Sequence, residues 1–379
     1  MTDFSVNINK KENIINGNVF DITKRTQESK VTLWEGNIKK QSQSINIEDN
    51  KEQAEALNLI KMLKSKDYLN DVAFDLELEK IKEMDLVKLL NIFRINNKGR
   101  GLLDCIKEQK EISKETKQKY EKYFTEELEK IYGFDKNLKK ENVSTKFRSK
   151  EFKYESDKYN IIQKDENKIE IKNLTTQEVR TIDLKKIVPE GIQGINDIIE
   201  LKATIQKLPP DILFEIPQEV PYIKNVNVAN LFAEINGQDN VKYSGRYNID
   251  ILGKSEYIEA LPNEETLVHE ISHAIFYSEN AKNTLKKNEK IKEAFKIAQE
   301  RVYQEYATND EFRENYNPQN FYWMKDLTEF GAEVLTAIYI KDSKSSESLK
   351  KFAPESFELI MDLFQQRRIS DNKSKNIEK

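Results

Sequence analysis

The chain holds only two histidines, and they stand four residues apart, in Leu267-Val268-His269-Glu270-Ile271-Ser272-His273. Side chains at i and i+4 share one face of a helix. Both imidazoles can therefore reach a single metal ion at about 2.0–2.1 Å. Glu270 sits beside the first imidazole and leans over the same ion, where it can take a proton from water held there. Two histidines dropped at random into a chain this long fall four apart in roughly 0.5% of cases, and requiring the glutamate cuts that about tenfold. The competing reading is a histidine pair held in the core by ordinary hydrogen bonds.

A catalytic zinc takes three protein ligands and keeps one position open. No third histidine exists, and the single Cys105 is remote in sequence. The third ligand must then be a carboxylate. Phe321-Tyr322-Trp323-Met324-Lys325-Asp326-Leu327-Thr328-Glu329-Phe330-Gly331-Ala332-Glu333-Val334-Leu335 offers one. Glu329 and Glu333 share a face of a largely apolar helix, and acids there are costly to bury unless they meet a cation or hydrogen-bond donors. One zinc ion per chain would satisfy both, with Glu329 as ligand and Glu333 accepting an N–H from a liganding imidazole. Tyr322, between Phe321 and Trp323, reads by composition as aromatic packing.

These side chains need elements to carry them. Asn263 is a favoured N-cap, Pro262 precedes it, and Glu264 and Glu265 suit the positive end of the helix they open. Leu267, Val268, Ile271 and Phe276 supply its buried side. Upstream, Ile192–Leu208 reads as a helix stopped by Pro209-Pro210, while Asp211–Ile216 and Tyr247–Leu252 read as strands. The segment Ser244–Leu252 could be an edge strand that pairs with an extended peptide, or an ordinary sheet strand.

The rest of the chain divides by pattern. Residues 1–50, rich in Asn, Lys, Gln and Ser, read as a mobile or weakly ordered arm. Residues 51–150 read as a helical domain. Ala54, Leu57, Ile60 and Leu63 mark one helix face, a second helix runs through Leu76 to Leu90, and a long charged helix covers residues 108–132 with Ile112, Tyr120, Tyr123, Phe124, Leu128 and Ile131 buried. Residues 151–188 alternate with period two over Tyr159–Gln163, Lys168–Lys172 and Val179–Leu184, which predicts a three-stranded meander linking to the next domain. Residues 189–379 then carry the metal motif. With 62 Lys and Arg against 66 Asp and Glu in 379 residues, the net charge is −4. That balance gives no pull towards nucleic acid. No apolar run is long enough for a membrane span or a signal-peptide core.

His269-Glu270-x-x-His273, then Tyr322 seven residues before Glu329, then Glu333 four further on, resembles the catalytic domain of anthrax lethal factor and the related Pro-Pro endopeptidases of clostridia. The stretch Ala353–Phe364 is similar to the end of that domain as well, so the resemblance covers roughly residues 190–370. It implies an α+β, zincin-like C-terminal metallopeptidase domain. It implies His269, His273 and Glu329 as zinc ligands, Glu270 as general base and Tyr322 as oxyanion donor. Ser272 departs from the frequent Gly before the second histidine, and the first 190 residues show no match. The expected function is a zinc endopeptidase acting on an extended segment of a specific protein, as a secreted or injected effector with a delivery or translocation partner acting through the N-terminal region. The alternatives are an intracellular, cytoplasmic or phage-associated peptidase, and a non-catalytic binding module that keeps the fold.

Overall fold

A computed structural model describes residues 49–65, 70–148, 150, 152–190, 193–220, 222–226, 244–249, 256–277 and 284–377. The arm expected over residues 1–50 lies outside the described residues except for the first two of helix α1 (Asp49–Lys64). Residues 1–55 and 56–379 form two separate units, and the elements beyond α1 all belong to the second.

Four helices come next: α2 (Asp71–Ile81), α3 (Leu86–Asn96), α4 (Leu102–Glu108) and α5 (Lys114–Tyr132). The single helix expected through Leu76–Leu90 is broken in two, because Asp85 caps α3 by accepting from the Lys88 N–H at 3.0 Å. Leu76 points to solvent. The helix expected from residue 108 begins instead at Lys114, behind the cap of Ser113. Ile112 is buried in the preceding turn, and Ile131 is exposed rather than buried.

Strands β1 (Lys139–Val143) and β2 (Lys146–Arg148) fall inside the stretch expected to be helical. β2 forms a hairpin with β3 (Lys153–Glu155). β4 (Tyr159–Asp165), β5 (Lys168–Asn173) and β6 (Val179–Asp183) form the expected meander, and β1 joins it as a fourth antiparallel strand in the order β1-β4-β5-β6. The period-two pattern buries Tyr159, Ile161, Ile169, Ile171 and Ile182 on one face.

The short α6 (Leu184–Ile187) leads to α7 (Ile195–Lys207) and α8 (Pro210–Glu219). Residues Asp211–Ile216, expected as a strand, are helical. Pro209-Pro210 does not merely stop α7: a proline at the first helical position has φ preset for a helix and loses no bond by lacking an N–H. Ile212, Leu213, Phe214 and Ile216 are all buried, so their continuous apolar run reflects burial on every side rather than a strand.

β7 (Ile223–Asn225), β8 (Gly245–Ile249) and β9 (Glu256–Ala260) form a second sheet ordered β7-β9-β8, with β7 parallel and β8 antiparallel to β9. Of the expected strand Tyr247–Leu252, residues 250–252 lie outside the described residues. α9 (Glu264–Tyr277) packs on β8 and β9. The chain continues through α10 (Thr284–Lys287), α11 (Glu289–Thr308), α12 (Asp310–Glu314), a 3-10 helix (Pro318–Met324), α13 (Leu327–Tyr339), α14 (Ser346–Phe352) and α15 (Glu355–Ile377). The class is mixed α+β.

α9 and α13 are the central pair, and they pack along their length. Gly331 lets α10 lie against α13, since a Cβ there would overlap the side chain of Leu285. α15 backs α13 with Phe357, Ile360, Met361 and Phe364, all buried. Asp211 ties the layers together. Its fully buried carboxylate accepts from the hydroxyls of Tyr154 (2.7 Å), Tyr159 (2.6 Å) and Tyr339 (3.0 Å), which come from the hairpin, the meander and α13. Asp211→Ala removes an acceptor that three buried hydroxyls share and is expected to lower the unfolding free energy by at least about 1–3 kcal/mol, read from denaturant midpoints at unchanged m-value.

Candidate metal centre

α9 starts where Asn263 accepts from the Thr266 N–H at 2.9 Å. Leu267, Val268, Ile271, Ala274, Ile275 and Phe276 turn inward and fix the helix rotation. His269 and His273 then face the same way, one turn apart. Ser272 is fully buried and donates its hydroxyl to the Val268 carbonyl at 2.6 Å, so its polar group is satisfied within the helix.

α13 starts at Asp326, whose carboxylate accepts from the N–H groups of Thr328 (2.8 Å) and Glu329 (3.0 Å). That cap and the buried Phe330, Val334 and Leu335 aim Glu329 at α9. Glu329 Oε2 lies 3.2 Å from His269 Nε2 and 3.3 Å from His273 Nε2, and the two nitrogens are 3.1 Å apart. Ligands about 2.0–2.1 Å from a tetrahedral centre are spaced by roughly 3.3–3.4 Å. The three atoms thus form a triangle of the size that one face of such a coordination shell requires. Among the described residues this is the one group of three His, Cys, Asp or Glu side chains whose donor atoms converge in this way.

Glu333, one turn further along α13, has Oε1 3.2 Å from His269 Nδ1. That contact calls for the proton on Nδ1 and leaves Nε2 free to donate its lone pair to a cation. Glu270 faces β8. It is 4% exposed, accepts from the Tyr247 backbone N–H, and its Oε2 has no hydrogen-bond partner among the described residues. A Cβ at Gly245 would stand 2.6 Å from Glu270 Oε1, so only glycine lets the strand pass this close. The Tyr322 hydroxyl donates to Glu329 Oε1 at 3.0 Å, and its ring centroid is 6.4 Å from that of His269. His269, His273, Tyr322, Glu329 and Glu333 are thus joined by direct contacts, and Glu270 is the neighbour of His269 on α9.

Lys325 joins them, although neither motif nor composition singled it out. Its Nζ donates to Glu329 Oε1 at 2.7 Å and to the Tyr322 hydroxyl oxygen at 3.0 Å. Helical spacing gave no signal for it, because it lies at the break between the 3-10 helix and α13, where Asp326 is extended. The parts played by Gly245 and the Tyr247 N–H had no signal, because β8 meets α9 only in the folded chain.

Without a cation the cluster is held by protons. Burial works against a charged His269, but hydrogen bonds to Glu329 and Glu333 win and push it up to about 10. Burial lowers His273. Burial works against the Glu329 carboxylate, but the two imidazoles and Lys325 hold it far below the ordinary carboxylate range. Burial pushes Glu270 up to about 7 against the pull of His269.

Comparison with protein-family models, curated proteins and solved structures finds no match for this chain. Among the described residues no helix is long and apolar enough to cross a membrane.

A protonated His269 must release its proton to bind a metal. Titration of the metal-free protein with Zn2+ at pH 8 is expected to release about one proton per site, read from calorimetric enthalpies in buffers of different ionisation heat. The raised pKa also sets the sign of a stability change. His269 contributes fully below its ordinary 6.5, and that contribution fades as pH climbs towards about 10. The melting temperature of metal-free protein should therefore fall between pH 7 and 9, and His269→Gln should flatten that slope.

Proposed function

We propose that this chain is a zinc-dependent endopeptidase with a zincin-like catalytic domain resembling that of anthrax lethal factor. The observation that carries the reading is the triangle of His269 Nε2, His273 Nε2 and Glu329 Oε2, with edges of 3.1–3.3 Å, beside a buried carboxylate with an oxygen unpartnered among the described residues. Zinc held there would supply Lewis acidity to a scissile carbonyl and to water.

The chain's own groups do the rest. Glu270 Oε2 takes a proton from the attacking water and delivers it to the leaving amine as the C–N bond breaks. Burial, which raises its pKa in the metal-free site, favours its taking up that proton. The Tyr322 hydroxyl turns from Glu329 to the substrate carbonyl oxygen as negative charge gathers there. Glu333 keeps His269 in the tautomer that presents Nε2. A peptide substrate lies extended along β8, whose ladder partner among the described residues is β9. The export and delivery roles belong to the same proposal: recovery of the chain from culture fluid would support them, and confinement to cells would favour an internal peptidase.

Metal analysis is expected to find one zinc per chain, lost in His269→Ala. Full zinc content in that variant would remove His269 as a ligand. Glu270→Gln should keep zinc and lose about 10²–10⁴-fold in turnover of a cleavable peptide. Tyr322→Phe should keep zinc and lose about 10²–10³-fold, the size of one lost oxyanion donor. Undiminished cleavage by either variant would strike that residue from the mechanism, and no cleavage by the wild-type protein of any member of a peptide library would leave only a binding module.

A further inference from the structure

Glu329 divides its two oxygens between different tasks. Oε2 faces the imidazole pair, while Oε1 receives the Tyr322 hydroxyl at 3.0 Å and the Lys325 ammonium at 2.7 Å. The hydroxyl has one proton to give. When that proton turns to a substrate oxygen, Oε1 loses a donor, and an orphaned acceptor on a largely buried carboxylate costs about 1–3 kcal/mol. That cost would fall on the very step Tyr322 is meant to assist.

Lys325 removes it. An ammonium has three donors, and this one also reaches the Tyr322 oxygen at 3.0 Å and lies 5.0 Å from the ring centroid. Donation to a hydroxyl oxygen strengthens that hydroxyl as a donor in turn. The placement is set by the backbone, since the Lys325 N–H closes the turn onto the Tyr322 carbonyl at 3.1 Å. Resting on the peptidase reading, we propose that Lys325 is a positioning residue for catalysis: it holds Glu329 Oε1 and the Tyr322 oxygen together, which frees the single Tyr322 proton for the developing oxyanion.

The test compares wild type, Lys325→Met, Lys325→Arg, Tyr322→Phe and the Lys325→Met/Tyr322→Phe double variant. The quantities are kcat and KM on one library-derived peptide, and zinc affinity by chelator competition. With the zinc site saturated, Lys325→Met is expected to keep KM but lose about tenfold or more in kcat, as for one charge-assisted hydrogen bond. Lys325→Arg should recover most of the loss. The double variant should be no slower than Tyr322→Phe alone, because Lys325 acts through that hydroxyl. The inference is overturned by wild-type kcat in zinc-saturated Lys325→Met, or by a loss that adds in full to that of Tyr322→Phe. Absence of turnover in the wild type would instead overturn the peptidase reading, and this inference with it.

Discussion

The site depends on bringing a carboxylate and two imidazoles, all largely removed from water, to within 3.3 Å of one another. Such a cluster is expensive unless charge and protons are shared. Glu329 bears the larger part of this. It sits on a helix whose other inward residues are Phe330, Ala332, Val334 and Leu335, and the donors it meets come from different places: two from α9, one from the 3-10 helix and one from the turn before α13. The packing of α9 on α13 and the acidity of Glu329 are therefore two aspects of one arrangement.

That arrangement explains features elsewhere. Gly331 gives α13 the room it needs beside Leu285. Asp326 caps α13 and points Glu329 at the histidines. α15 braces α13 from behind, and Asp211 fastens α13 to the hairpin and meander through three tyrosine hydroxyls. The buried Asp211 carboxylate is stable there because those three O–H donors replace water it gave up. The hairpin and the meander thus hold the helix that carries Glu329, a larger part than the linking role the sequence pattern suggests.

Glu270 and Glu329 show one residue type set to opposite ends of its range by environment. Glu270, buried with one backbone donor, is pushed up to about 7, whereas Glu329, ringed by imidazole, ammonium and hydroxyl donors, is held far below the ordinary carboxylate range. One suits moving a proton and the other suits holding a cation. The division comes from what packs against each side chain rather than from the side chains themselves.

Local pattern was enough to read the histidine pair, its neighbouring glutamate, the helix that carries them and the acids of α13, because helical periodicity and capping act over a few residues. The meander was legible for the same reason. The strand expected over Asp211–Ile216 became a helix because a continuous apolar run reports burial without stating its geometry, and the prolines before it served as a start as much as a stop. Tertiary structure alone decided which oxygen of Glu329 meets which nitrogen, that Lys325 completes the ring around Tyr322, and that Gly245 lets β8 touch Glu270. The longest of those contacts, His269 to Glu329, joins positions 60 residues apart, and no periodicity within either segment encodes the distance between them.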